Sequence, residues 1–193
     1  MNKSLKLGKH NIGEGHPPFI IAEMSGNHNQ SLERALKIVE AAAYAGAHAI
    51  KLQTYTADTM TIDCENEDFT ISNPDNLWAG RTLYDLYQEA HTPWEWHHEI
   101  FKLARELGMI PLSTPFDETA VDFLEKLDAD IYKISSLENT DHALIKKVAQ
   151  TGKPIILSTG MMSKEDMIET VEVAKSAGCK DLILLKCTSS YPA

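Results

Sequence analysis

Short apolar runs recur along this chain, and each ends in polar side chains. Phe19-Ile20-Ile21-Ala22 ends in Glu23, Ala49-Ile50 leads into Lys51-Leu52-Gln53-Thr54, and Ile110-Pro111-Leu112 gives way to Ser113-Thr114. Further on, Ile131-Tyr132-Lys133-Ile134 runs into Ser135-Ser136-Leu137-Glu138-Asn139, Ile155-Ile156-Leu157 into Ser158-Thr159-Gly160, and Leu182 to Leu185 into Lys186-Cys187-Thr188-Ser189. Between these runs the apolar positions fall three and four residues apart, the spacing of one helix face. Leu32, Ala35, Leu36, Val39, Ala42 and Ala43 form such a face behind a Ser31 cap, with Gly46 placed for the C-terminal stop. Thr92-Pro93-Trp94-Glu95 predicts a capping box with proline in the first turn, Asp117 and Ser163 open later helices, and Asp141 to Gln150 predicts another. Alternating strands and helices at intervals of roughly 20 to 30 residues predict βαβ units around a parallel sheet.

One interval breaks the rhythm. About 35 residues separate Thr54 from His91, too many for a plain connection in a compact domain. The run Leu83-Tyr84-Asp85-Leu86-Tyr87 predicts an ordered insertion that could cover a site. Parallel strands with reactive groups at their C-terminal ends predict a (β/α)8 TIM barrel, in which chemistry occupies that face. A doubly wound sheet is the competing architecture, but Ser25-Gly26-Asn27-His28 is no dinucleotide-binding turn. Six strands fall short of a closed barrel, so the expectation is a barrel truncated after the sixth strand, with 1–193 as an incomplete N-terminal barrel domain.

The polar ends carry the candidate chemistry. An ammonium in an apolar strand is costly without an anionic neighbour, an anionic ligand or a route to water. Lys51 and Lys133 therefore either pair with carboxylates, snorkel out of the strand ends, or bind an anion. Glu138 stands five residues after Lys133 and could neutralise it; Glu23 and Glu138 could equally move protons. Thr114, Ser136 and Ser158 could cap helices or, with the lysines, cradle a phosphate or carboxylate. His97-His98 is expected to face solvent from a helix, and His28 either lines the site or is structural. No pair of histidines has metal-ligand spacing.

Composition narrows the classes. A net charge of -10 argues against non-specific nucleic-acid or anionic-membrane binding, though not against a small anion at local lysines. The three cysteines, Cys64, Cys179 and Cys187, are odd in number and predict reduced thiols in a cytoplasmic protein. No apolar run reaches the roughly 20 residues needed to span a bilayer, and Met1 to His16 lacks the apolar run of a signal peptide.

With these residues in view, the chain resembles the sialic acid synthase family from about Pro18 to Pro192. The matching motifs are Ile21-Ala22-Glu23 with Gly26-Asn27-His28, Lys51-Leu52-Gln53-Thr54, Ser113-Thr114-Pro115-Phe116, Tyr132-Lys133-Ile134-Ser135-Ser136-Leu137-Glu138, Leu157-Ser158-Thr159-Gly160-Met161 and Cys187-Thr188-Ser189-Ser190-Tyr191-Pro192. The segment from Arg81 to Trp96 and the run Leu185-Lys186-Cys187-Thr188-Ser189-Ser190-Tyr191-Pro192 resemble the branch that makes pseudaminic acid. Lys186 and Ser189 stand where the sialic acid branch typically has histidine and asparagine, which makes N-acetylmannosamine the less expected acceptor.

The resemblance implies a transferase that condenses phosphoenolpyruvate with an acylated amino-sugar aldehyde, a 2,4-diacetamido-2,4,6-trideoxyaltrose in the pseudaminic branch, to give a nine-carbon 2-keto acid and phosphate. By the same resemblance Lys51, Thr114, Lys133, Ser136, Ser158 and Ser189 would bind phosphoenolpyruvate, Tyr191 would lie on the sugar side, and Glu23 and Glu138 would be the catalytic carboxylates. It further implies a divalent metal, manganese or magnesium, on histidines of the last barrel strands, which are not in this chain, and a homodimer that shares a C-terminal antifreeze-like domain. This chain alone is therefore expected to show little or no turnover. Two other readings stay open: a Schiff-base aldolase with Lys133 or Lys51 as nucleophile, and a non-catalytic fragment that only binds phosphoenolpyruvate.

Overall fold

The computed structural model describes residues 4–188, so Ser189 and Tyr191 lie outside the described residues. Six parallel strands form one sheet in the order of the chain: β3 (Ile21–Glu23), β4 (Ala49–Thr54), β5 (Ile110–Pro115), β6 (Tyr132–Ile134), β7 (Ile155–Ser158) and β8 (Leu182–Leu185). Each strand's neighbours are those before and after it in sequence. The order never reverses, so the sheet winds in one direction as in a (β/α)8 barrel and lacks the switch point of a doubly wound fold. β3 and β8 are its two edges, and Ile20, Leu184 and Leu185 beside them are exposed.

Helices cover the outer face: α1 (Leu32–Tyr44), α4 (His97–Glu106), α5 (Glu118–Lys126), α6 (His142–Gln150) and α7 (Lys164–Ser176). Outward residues Ile50, Leu52, Tyr132, Ile134, Ile155 and Leu157 pack against Val39, Ile100, Phe101, Leu124 and Ile145 of those helices. The caps are local. Ser31 accepts from the Arg34 amide, Asp117 from Thr119 and Ala120, Asp141 from Ala143 and Leu144, and Ser163 forms a capping box with Asp166.

The opposite, inward face has its own core. Ala49, Leu112, Ile131 and Ile156 meet Leu7 of an N-terminal hairpin, β1 (Ser4–Leu7) and β2 (His10–Gly13), with Leu5 and Ile12 beside it. The hairpin turns through Gly8, whose φ of +54 suits glycine, and it plugs the floor beneath the strands. No strand is predicted here from the sequence. The hairpin's strands are short and half-exposed, so no long apolar alternation announces them. Leu7 is 2% exposed, and truncating it should lower stability by about 2–5 kcal/mol, read as a fall in the denaturant midpoint.

Two expectations fail in the segment before α4. Thr92 caps no helix: its buried hydroxyl is hydrogen-bonded to His28 Nε2 at 3.1 Å, a 3-10 turn (Trp94–Trp96) intervenes, and α4 starts at His97. His97 does not face solvent. It is fully buried against the sheet, because Thr54 at an outward position of β4 offers it a hydroxyl partner, and Thr54 is itself bonded to Ser113 of β5. His98 alone of the pair is exposed. His28 is buried beside Trp96, which gives it the structural role.

The long interval is ordered, as expected. α2 (Ala57–Met60) has a capping box of Thr56 and Thr59, and α3 (Leu83–Ala90) is capped by Thr82. The Tyr84 hydroxyl donates to Asp58 at 2.9 Å and ties the two helices together. No helix among the described residues is long and apolar enough to cross a membrane.

Candidate active site

Strand alternation decides which side chains reach the inside of the sheet. Ile21 and Ala49 lie in the lower inward core, so two residues further on Glu23 and Lys51 share the inward face, and Gln53 follows. By the same count Thr114 follows Leu112, Lys133 follows Ile131, and Ser158 follows Ile156. These positions open into a cavity of about 610 Å³ at the C-terminal ends of the strands. Glu23, Lys51, Thr114, Lys133, Ser136 and Ser158 all line it. Six of the nine sequence-predicted site residues thus converge on one cavity; Glu138 is not among the residues that line it, and Ser189 and Tyr191 lie outside the described residues.

The two lysines differ. Lys51 pairs with the Glu23 carboxylate across the Glu23–Lys51 register of β3 and β4. Lys133, only 8% exposed, makes no salt bridge among the described residues; its ammonium donates to the Ile134 carbonyl at 2.8 Å and to the Ser158 hydroxyl at 2.6 Å. Burial, and secondarily the Lys51 charge, push its pKa down to about 8. The cavity therefore carries an excess positive charge at Lys133, while Lys51 is offset by Glu23.

Glu138 does not neutralise Lys133 by direct pairing. Its carboxylate accepts a hydrogen bond from Ser135 instead, and burial raises its pKa above the ordinary carboxylate value against that bond's opposing pull. Thr114 Oγ1 and Ser136 Oγ are buried and have no hydrogen-bond partner among the described residues. A buried hydroxyl without a partner costs about 1–3 kcal/mol, so two of them beside an under-neutralised ammonium describe a site prepared for an oxygen-rich anion. None of Thr114, Ser136 and Ser158 caps a helix; Asp117, Asp141 and Ser163 do.

The opposite wall is aromatic and apolar. Tyr55, Tyr87 and Phe116 meet edge to face, with ring centroids 5.8 Å apart for Tyr55–Tyr87 and 5.3 Å for Tyr55–Phe116. Met60 and Tyr87 bring α2 and α3 to this wall, so the insertion does cover the site. Burial pushes the Tyr55 phenol up to about 12, so it remains protonated at neutral pH. Sequence reasoning missed this wall; the inward phase of β4, two residues beyond Gln53, was the available signal for Tyr55.

Asn139 is a second omission. It is buried, and its amide donates to the carbonyls of Ser158 at 3.2 Å and Gly160 at 2.9 Å, while Thr170 of α7 donates to the Asn139 carbonyl at 3.0 Å. This clamp holds the Ser158 backbone against the end of β6 and so places the hydroxyl that Lys133 meets. Asn139→Ala should leave two carbonyls without this donor and lower stability by about 1–3 kcal/mol, visible as a drop in Tm.

Among the described residues no three His, Cys, Asp or Glu side chains are arranged to hold a metal. His28 and His97 are each committed to a hydroxyl partner. The residues described do not fit the divalent ion that the resemblance implies. Lys186 is exposed at the end of β8.

The same chain has recognisable relatives. It is 47% identical to the pseudaminic acid synthase of Campylobacter jejuni over 90% of its own length and 50% of that protein's. It is 44% identical to the pseudaminic acid synthase of Helicobacter pylori, covering 92% of this chain and 52% of that one. It therefore spans about half the length of these curated relatives. Among solved structures, the N-acetylneuraminic acid synthetase of Leptospira borgpetersenii, crystallised with citrate, superposes with a TM-score of 0.83 at 29% identity, over 98% of this chain and 61% of that one. Residues 38–193 match the NeuB family, and the chain belongs to that family.

Proposed function

We propose that this chain is the phosphoenolpyruvate-binding part of a nonulosonic acid synthase, with pseudaminic acid synthesis as its branch. The observation that carries the proposal is the cavity itself: a buried, under-neutralised Lys133 beside the unpartnered hydroxyls of Thr114 and Ser136. Phosphoenolpyruvate brings two anionic groups to that floor. Family membership and the identity to two pseudaminic acid synthases support the same reading.

In the proposed reaction C3 of phosphoenolpyruvate attacks the aldehyde carbon of an acylated amino sugar, and water adds at C2. Phosphate then leaves with the C2–O bond, giving the 2-keto acid. Lys133, Lys51 and the hydroxyls of Thr114, Ser136 and Ser158 hold and orient the anion, and the charge that builds on the leaving phosphate stays beside Lys133. Glu138, whose buried carboxyl holds its proton more tightly than usual, suits transfer to or from a sugar or water oxygen. Glu23 suits the same work on the Lys51 side of the cavity. The acceptor in this proposal is 2,4-diacetamido-2,4,6-trideoxyaltrose, whose acetamido and deoxy groups would meet Tyr55, Tyr87, Phe116 and Met60. A divalent metal held by residues other than those described, a homodimer and a cytoplasmic location belong to the same proposal.

A buried Lys133 with a lowered pKa also suits the nucleophile of a Schiff-base aldolase, and an imine trap separates that reading from the synthase. Borohydride with pyruvate should trap no adduct on Lys133 or Lys51; a covalent adduct there would favour the aldolase reading. The direct test is a product assay on the full-length protein with both substrates and manganese, following phosphate and the nine-carbon acid. No product from any 2,4-diacetamido or 2-acetamido aldose would overturn the proposal. The 193-residue chain assayed by itself should turn over little, in keeping with the open edges at β3 and β8.

A further inference from the structure

Cys187 lines the same cavity as Lys51 and Lys133. It continues the inward phase of β8, two steps of two residues beyond Ile183, which packs in the inward core. It is also an electrostatic neighbour of Lys133. Lys51 is offset by Glu23, so the attraction for an anion in this space comes chiefly from Lys133. Thr114, 1% exposed and on the inward phase of β5, lines the cavity with a hydroxyl that has no partner among the described residues. A small anion delivered to these groups therefore arrives beside a thiol.

We propose that Cys187 is a modification site of this cavity: a small electrophile bearing a carboxylate docks on Lys133 and the unpartnered hydroxyls, alkylates the thiol, and closes the cavity to its anionic substrate. The identity of that substrate rests on the phosphoenolpyruvate reading. With iodoacetate as the probe, the S–C bond forms as the C–I bond breaks, iodide departs with the bonding pair, and the thiol proton goes to solvent. The thiolate is the attacking form.

The test measures alkylation rates of each cysteine in the full-length protein by peptide mass spectrometry, with iodoacetate and with its neutral analogue iodoacetamide. One unit charge in a partly buried cavity is worth on the order of tenfold in the local concentration of a monoanion. The iodoacetate-to-iodoacetamide rate ratio at Cys187 should therefore fall about tenfold in Lys133→Met. Cys64, flanked by Asp63 and Glu65, should show a low ratio that the substitution leaves unchanged. Should Lys133→Met fail to fold, raising salt to about 0.5 M in the unaltered protein should collapse the ratio at Cys187 in the same way. Phosphoenolpyruvate should slow labelling at Cys187 and not at Cys64. A ratio at Cys187 that neither the substitution nor salt changes, in protein that calorimetry shows to bind phosphoenolpyruvate, overturns the inference. A charge-dependent ratio without phosphoenolpyruvate binding or protection upholds the inference and overturns the substrate reading.

Discussion

Lys133→Ala should abolish phosphoenolpyruvate binding, with affinity falling by at least about 100-fold in calorimetry on the full-length protein. Removing one partner of a buried, hydrogen-bonded charge pair costs about 2–5 kcal/mol, and here the partner left behind is the ligand's own charge. Lys51→Ala should cost less, because its ammonium already shares its charge with Glu23. The pH dependence follows from the lowered pKa of Lys133. Its ammonium is largely intact below about 8 and is lost above it, so affinity for the anion should decline as pH rises through that value. Stability runs the other way. Between about 8 and 10.5 the unfolded chain holds a proton at this lysine that the fold does not, so stability should rise with pH across that window. The gain is on the order of 3 kcal/mol, and it should be missing in Lys133→Ala. Equal affinity in wild type and variant would remove Lys133 from the site.

The second large effect is at His97. Its Nδ1–H donates to the Pro93 carbonyl at 3.2 Å, so Nε2 is the acceptor and the Thr54 hydroxyl donates to it at 2.9 Å. The Thr54 oxygen in turn accepts from Ser113 at 2.6 Å. The chain of bonds fits a neutral ring, and burial lowers the pKa from 6.5 to about 4. Below 6.5 the unfolded chain takes up a proton that the fold refuses, so stability present above that pH is lost progressively down to about 4. The slope from this group approaches about 1.4 kcal/mol per pH unit within that window. His97→Phe fills the same space without titrating, and urea melts from pH 7 to 4 should show a shallower fall for it than for wild type. His97→Ala should lose about 3 kcal/mol at neutral pH, from the cavity and the unpaired Thr54 hydroxyl together. Parallel pH profiles for wild type and His97→Phe would mean that another group sets the acid limit.

Much of this was legible in the sequence because the signals were local. A strand buried on both faces in a parallel sheet reads as a continuous apolar run, and six such runs became six strands. Ser31, Asp117 and Ser163 cap helices where they were expected, since a cap needs only its own next turn. What escaped depends on residues far apart in the chain. His97 sits one residue from an exposed histidine, and its burial comes from Thr54 and Ser113, which no periodicity connects to it. Lys51 and Lys133 look alike in sequence. Register gives Glu23 to one, and Ser135 takes Glu138 from the other.

The in-order sheet also bears on how the molecule is made. Every strand from β4 to β8 pairs with one already synthesised, so each βα unit leaving the ribosome finds its template waiting. The hairpin that closes the floor emerges first and can hold the growing arc from its concave side. Folding by accretion of this kind never requires a late strand to insert between two that have already joined. The newest strand is always the docking rail for the next.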